Sequence, residues 1–112
     1  MRKTLILALL ALASTQSLAA RETTSGHIDR MVTYPDFGSG NTIVELSNRG
    51  NTCYGYWIET GSKGHDAALS ALLGAFHSKK VVSIVGLDDS ASKWNGSPGR
   101  HYCKLYAVDV KQ

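Results

Sequence analysis

Four histidines, His27, His65, His77 and His101, are the side chains best suited to metal binding or to proton transfer near neutral pH. Metal ligands on one helix need i, i+4 spacing, and His65 and His77 stand twelve positions apart. His27 and His101 could meet only through the fold. This spacing predicts surface or capping histidines and no metal site. The acids offer no general acid–base pair either: Asp88 and Asp89 adjoin in a turn-rich stretch, where like charges serve solvation or a turn. Gly-x-Ser-x-Gly, phosphate-loop and His-Glu-x-x-His patterns are missing from the sequence. Glu45, Glu59, Arg100 and His101 have the chemistry of a small ribonuclease, but a set like this can be drawn from almost any chain of this composition. The expectation is a protein without catalytic activity or cofactor.

The aromatic residues carry more information. Trp94 lies in a polar stretch beside Asn95, Gly96 and Ser97. An indole face edged by hydrogen-bonding groups suits stacking against a sugar, which makes Trp94, Asn95 and Ser97 candidate ligand-binding residues. The other reading folds Trp94 back as a plug of the core, since tryptophan is highly buried on average.

The N-terminus sets the compartment. Met1-Arg2-Lys3 is a short basic start, Leu5 to Ala13 is an apolar run, and Ser17-Leu18-Ala19 offers small residues to a signal peptidase. Residues 1–19 read as a secretory signal peptide, too short to span a membrane; the alternative is an N-terminal core helix. Residues 20–112 then form one domain, periplasmic or secreted, with no membrane span. Cleavage removes two of the twelve basic residues and leaves ten against nine acids, a net charge of +1 in place of +3. Charge gives no support to nucleic-acid binding. Cys53 and Cys103 both lie in the exported part, so an oxidising compartment predicts one Cys53–Cys103 disulfide. A reactive or metal-binding thiol pair is the rival reading, and the chain has neither Cys-x-x-Cys nor a close Cys/His cluster.

The elements that must position these groups follow from periodicity. Ala20 to Ser25 is polar and reads as frayed. His27 to Tyr34 alternates, with Ile28, Val32 and Tyr34 on one face, and predicts a first strand. Pro35 to Asn41 is turn chemistry. Thr42 to Leu46 predicts a second strand, with Val44 and Leu46 inward or Ile43 inward. Cys53 to Ile58 predicts a third, rich in aromatics. The period then changes. Leu69, Leu72, Leu73 and Phe76 fall at i, i+3, i+4 and i+7 in an amphipathic helix over Asp66 to His77. Beside that stripe lie Ala67, Ser70, Ala71, Gly74 and Ser78. They form either a close-packing face in an oligomer or an ordinary face of good helix formers. Val81 to Leu87 predicts a buried fourth strand, and Tyr102 to Val110 a fifth. The order β-β-β-α-β-β is that of the OB-fold, a five-stranded Greek-key barrel. Its third and fifth strands are parallel neighbours, which suits the two cysteines. A plain α+β meander is the alternative.

Cys53-Tyr54 with its aromatic strand, the Ala/Leu helix ending in Phe76, Lys80-Val81-Val82-Ser83-Ile84, Trp94 and Cys103 together resemble the B subunits of bacterial AB toxins, in the subtilase-cytotoxin and pertussis-like branch. The resemblance implies an exported OB-fold protein that binds host glycans. It further implies a homo-oligomeric ring of five with the helices at its centre, and an A-type partner subunit. In that branch a serine in a Tyr-Ser-x-x-Ile setting contacts the glycan. Thr24-Ser25-Gly26-His27-Ile28 is similar, with threonine in place of the tyrosine, so Ser25 is a candidate contact by resemblance. The alternative role is that of a protein-binding accessory factor or inhibitor, also without catalysis.

Overall fold

A computed structural model describes residues 20–112; the signal peptide expected over residues 1–19 lies outside the described residues. Six strands and one helix follow in the order β1 (Arg21–Gly26), β2 (Ile28–Tyr34), β3 (Asn41–Leu46), β4 (Gly55–Ile58), α1 (His65–Ser78), β5 (Val82–Leu87) and β6 (Tyr102–Val110). A short 3₁₀ turn, Ser90–Ser92, interrupts the β5–β6 connection. The strands form one sheet in the order β1-β5-β6-β4-β3-β2. All neighbours pair antiparallel except β4 and β6, which run parallel with Gly55 beside Tyr102 and Tyr56 beside Cys103. That register brings the cysteines together. Cys53 and Cys103 form a disulfide with Cα atoms 5.4 Å apart, both sulfurs in the core. Cross-linking a loop of this size removes unfolded-state entropy worth about 4 kcal/mol, comparable with the whole net stability of a small domain.

Ala20 to Ser25 does not fray. Arg21–Gly26 pairs with β5 over six residues, from Arg21 opposite Leu87 to Gly26 opposite Val82. Polarity misleads there because the polar side chains are used. The Glu22 carboxylate accepts N–H groups from Asn51, Thr52 and Cys53, which ties the β3–β4 loop down onto β1. A bulge between Ile28 and Arg30 corrects the reading of the next strand. One extra residue reverses the side-chain alternation beyond it. Ile28 and Met31 therefore face the main core, whereas Val32 and Tyr34 turn to the opposite face.

β3 is buried along its full length because both its faces are covered. Val44 and Leu46 join Ile28, Tyr56, Ile58, Leu72, Ala75, Val82, Ile84 and the disulfide in the main core. Ile43 faces away, into a second cluster with Trp94 and Tyr102, flanked by Val32, Tyr34, Tyr54 and Trp57. Each fully buried large apolar side chain contributes about 1.5–3 kcal/mol. Two glycines allow the tyrosines to lie flat across neighbouring strands. A side chain at Gly55 would meet the Tyr102 ring at 2.7 Å, and one at Gly86 would meet the Tyr56 ring at 2.7 Å.

The helix extends one residue beyond the predicted range at each end, and its buried stripe is rotated from the predicted one. Leu72 and Ala75 are buried, while Leu73 and Phe76 are 41% and 38% exposed. The reason lies in the other helix face: the small side chain of Ala75 lets the helix approach the sheet closely, so packing follows Leu69, Leu72 and Ala75. β5 also differs from a continuously buried run, with Val82, Ile84 and Gly86 buried in strict alternation. Among the described residues no helix is long and apolar enough to cross a membrane.

Candidate functional site

The segment between β5 and β6 folds back over the outer face of β3 and β4. Three contacts hold it there: the Trp94 N–H donates to the Tyr102 carbonyl at 2.9 Å, Lys93 bridges to Cys103, and the Trp57 Nε1–H donates to the Ser92 carbonyl at 2.9 Å. This fastening turns Trp94 inward. It is 4% exposed, with its ring edge-on to Tyr102 at 5.5 Å and to Phe37 at 5.7 Å, and tilted against Tyr34 at 5.6 Å. Trp94 is therefore a plug of the second cluster and presents no face for a sugar. Phe37 and Tyr34, which turn chemistry and strand parity alone did not single out, complete the aromatic cage that holds it.

Asn95 and Trp57 stand elsewhere on the same surface. A cleft of about 350 Å³ is lined by Gly38 from the β2–β3 turn, Asn41 at the start of β3, Trp57 of β4 with Glu59 and Thr60 just after it, and Ala91, Lys93 and Asn95 from the β5–β6 loop. Trp57 is half-buried, its nitrogen edge committed to Ser92. Around it the cleft offers the exposed carboxamide of Asn95, the carboxylate of Glu59 and the ammonium of Lys93; Asn41 is buried at its floor, with its Oδ1 accepting from the Thr60 hydroxyl at 3.4 Å. Lys104 pairs with Glu59 at 2.6 Å and holds that carboxylate at the rim. Trp57, and not Trp94, is the indole with hydrogen-bonding groups of both polarities around it. The alternation of β4 contained the signal, since Trp57 lies out of phase with the buried Tyr56 and Ile58.

Ser25 and Asn95 do not share a concavity. Ser25 lines a separate, polar hollow of about 340 Å³ with Glu22, Thr23, Thr24 and the Asn48–Asn51 loop. Its Oγ shares a hydrogen bond with Ser83 Oγ at 2.6 Å, and its carbonyl accepts from Asn48 at 2.7 Å. Thr24 Oγ1 is buried there without a hydrogen-bond partner. Ser97, half-buried in the loop, lines neither hollow.

The strongest electrostatics lie at the other end of the β3–β4 face. Glu45 is 5% exposed, and its carboxylate accepts from Arg30 at 2.9 Å and from the Tyr102 hydroxyl at 2.7 Å, with Arg49 at 3.5 Å. Burial, then the hydrogen bond to Glu45 and its charge, push the Tyr102 phenol up to about 12. Tyr102 therefore stays protonated and serves as a donor throughout the physiological range. This arrangement also separates the residues of the ribonuclease set. The β3–β4 register pairs Thr42 with Ile58 and Val44 with Tyr56, so Glu45 lies beyond one end of the paired stretch and Glu59 beyond the other. His101 offers its backbone carbonyl to the Tyr54 N–H at 2.9 Å, and its Nε2 is buried without a partner. No group of three or more metal-capable side chains occurs among the described residues. Compared with known proteins, the chain matches no family model and no curated protein.

Proposed function

We propose that this chain is an exported, non-catalytic glycan-binding protein built as an OB-fold-like barrel, and that the Trp57 cleft is its ligand site. The strand order supports the barrel. β1 and β2 stand at opposite ends of the sheet order, yet only His27 separates them in the chain. Taken as one bent strand, they turn six strands into five in the OB-fold order, with the helix between the third and fourth and the third parallel to the fifth. In that barrel the ligand face is formed by strands two and three together with the loops that follow strands one and four. The observation that carries the reading is that the Trp57 cleft is lined by these same elements: the Pro35–Gly40 turn, β4 and the β5–β6 loop. The half-exposed indole, the exposed carboxamide of Asn95 and the Glu59 carboxylate supply both the stacking surface and the hydrogen bonds that a sugar ring requires.

A glycan array probed with the folded protein tests this. Asn95→Ala removes an exposed side chain and Trp57→Ala removes the stacking surface. Retained sugars should lose about 1–3 kcal/mol of binding with the second change, by analogy with bases stacked on aromatic rings. Failure of the protein to retain any sugar, or undiminished binding by both variants, counts against the proposal.

The alternative, a protein-binding accessory factor, rests on a different surface. An apolar groove of about 530 Å³ lies between the end of α1 and the β1–β2 corner, lined by His27, Ile28, Ala75, Phe76, His77 and Lys79. The exposure of Leu73 and Phe76 also supports the toxin-subunit reading, in which copies of the chain assemble as a ring and carry an A-type partner. Mass in solution separates ring from monomer. Leu73→Glu should dissociate a ring that uses this face without unfolding the protomer.

A further inference from the structure

The end of the β3–β4 face around Tyr54 carries more positive charge than its acids neutralise. Three arginines from three different segments converge there: Arg30 from β2, Arg49 from the β3–β4 loop and Arg100 from the end of the β5–β6 loop. The Arg49 and Arg100 guanidinium carbons stand 4.5 and 4.3 Å from the centroid of the Tyr54 ring, so the two charges lie within about 9 Å of each other. Glu45 answers only part of this charge. Its buried carboxylate is shared between Arg30 at 2.9 Å and Arg49 at 3.5 Å. Arg100 has no carboxylate partner among the described residues and is exposed. Glu22, the other carboxylate beside Arg49, accepts from three backbone N–H groups of the Asn51–Cys53 loop. Three cations against the carboxylates of Glu45 and Glu22 leave an excess of about one positive charge in a small area, where mutual repulsion is unfavourable until an anion arrives.

The geometry also keeps these cations in place. Arg49 donates to the Leu46 carbonyl and stacks on Tyr54; Arg100 stacks on the same ring. Tyr54 is itself held edge-on by Tyr102 at 5.7 Å, and Tyr102 by its hydrogen bond to Glu45. A stacked guanidinium presents a planar fork of N–H donors and loses little further side-chain freedom when an oxyanion binds; Arg49 spends part of its fork on the Leu46 carbonyl and Glu45, whereas Arg100 makes no ion pair among the described residues. A bare lysine-rich surface has neither property. We infer that Arg49, Arg100 and Tyr54, backed by Arg30 and Glu45, form a second ligand site that takes a tetrahedral oxyanion group with three terminal oxygens, a sulfate ester or a phosphate monoester. A tetrahedral oxyanion is favoured over a planar carboxylate because it presents three oxygens to guanidinium groups arriving from different segments, and arginine forks hold such groups through paired hydrogen bonds. The site lies at the opposite end of the face from the Trp57 cleft and does not depend on the sugar-binding proposal.

Inorganic phosphate and inorganic sulfate are the probes, titrated in parallel at low ionic strength, with sodium chloride at matched ionic strength as reference. Side-chain NMR of the arginine Nε–H groups reads the site directly. Signals of Arg49 and Arg100 should shift with either oxyanion and stay in place with chloride, and both oxyanions should raise the melting temperature more than chloride. Arg100→Gln should weaken binding at least fivefold. Because Arg100 is exposed and makes no ion pair, this variant should fold normally. Arg49→Gln should weaken binding similarly; if its lost contacts to Leu46 and Glu45 prevent folding, Arg100→Gln alone decides. Lys79→Gln, at the far end of α1, should bind as the unaltered protein does. The tighter of the two anions indicates which ester class the site takes. Equal effects of chloride and oxyanions, or unchanged binding by Arg100→Gln, would overturn the assignment.

Discussion

Replacing Trp94 with alanine distinguishes a structural plug from a ligand-facing aromatic, and the expected size of the effect follows from its surroundings. The side chain is 4% exposed and lies within 5.7 Å, centroid to centroid, of Tyr34, Phe37 and Tyr102. Truncating a core tryptophan to alanine costs about 3–5 kcal/mol, and aromatic pairs of this geometry are worth about 0.5–1.5 kcal/mol each beyond area. One effect opposes these. The indole Nε1–H is buried without a hydrogen-bond partner, and removing an orphaned donor recovers about 1–3 kcal/mol. The net expectation for Trp94→Ala is a loss of about 5 kcal/mol. Trp94→Phe keeps most of the apolar surface and deletes the orphan, so it should lose only about 1 kcal/mol. Urea denaturation followed by far-ultraviolet circular dichroism measures both without relying on tryptophan emission. Trp94→Ala should also reduce sugar binding at the cleft only indirectly, by loosening the loop that carries Lys93 and Asn95. A loss below about 1 kcal/mol accompanied by a direct loss of sugar affinity would refute the reasoning, because it would mean that the ring faces a ligand.

Cys53→Ser and Cys103→Ser should each cost about 2–5 kcal/mol; intact mass should be two hydrogens below the reduced value, and two titratable thiols in the folded protein would contradict the pairing. Leu72→Ala, fully buried, should cost about 2–5 kcal/mol. Leu73→Ala should stay within about 1 kcal/mol, and similar losses in both variants would place the helix stripe where the sequence period put it. Tyr102 predicts a fall in stability at high pH. Its folded value of about 12 exceeds the unfolded value near 10, so the folded state holds its proton longer. The stabilisation is complete below about pH 10 and declines between about pH 10 and 12, by roughly 2–3 kcal/mol. Tyr102→Phe should flatten that decline in denaturation curves taken across the range. Some slope should remain, since burial also raises Tyr56.

Much of the architecture is readable in the sequence because it depends on local periodicity and turn chemistry. The change from strand alternation to an i, i+3, i+4, i+7 stripe places α1 to within a residue at each end, and β6 matches its predicted bounds, Tyr102 to Val110. The disulfide was accessible from compartment and element order together. What the sequence could not decide is what several segments decide jointly. A single bulge after Ile28 moved Val32 and Tyr34 to the face opposite the main core, and nothing in His27 to Tyr34 marks it. Leu73 is exposed because Ala75 lets the helix settle closer on its other side, which depends on the sheet beneath. Arg21–Gly26 is a strand because β5 and the Asn51–Cys53 loop use its polar groups. The candidate sites show the same division. Trp94 and Trp57 have similar sequence surroundings in one respect only, that each could stack on a sugar. Fastening the β5–β6 loop onto Tyr102 and Trp57 buried the first and left the second at the rim of a cleft. The arginine cluster joins residues 30, 49 and 100, whose proximity is set by strand order and by the loop's return to the sheet, and long-range packing of this kind leaves no local period in the sequence.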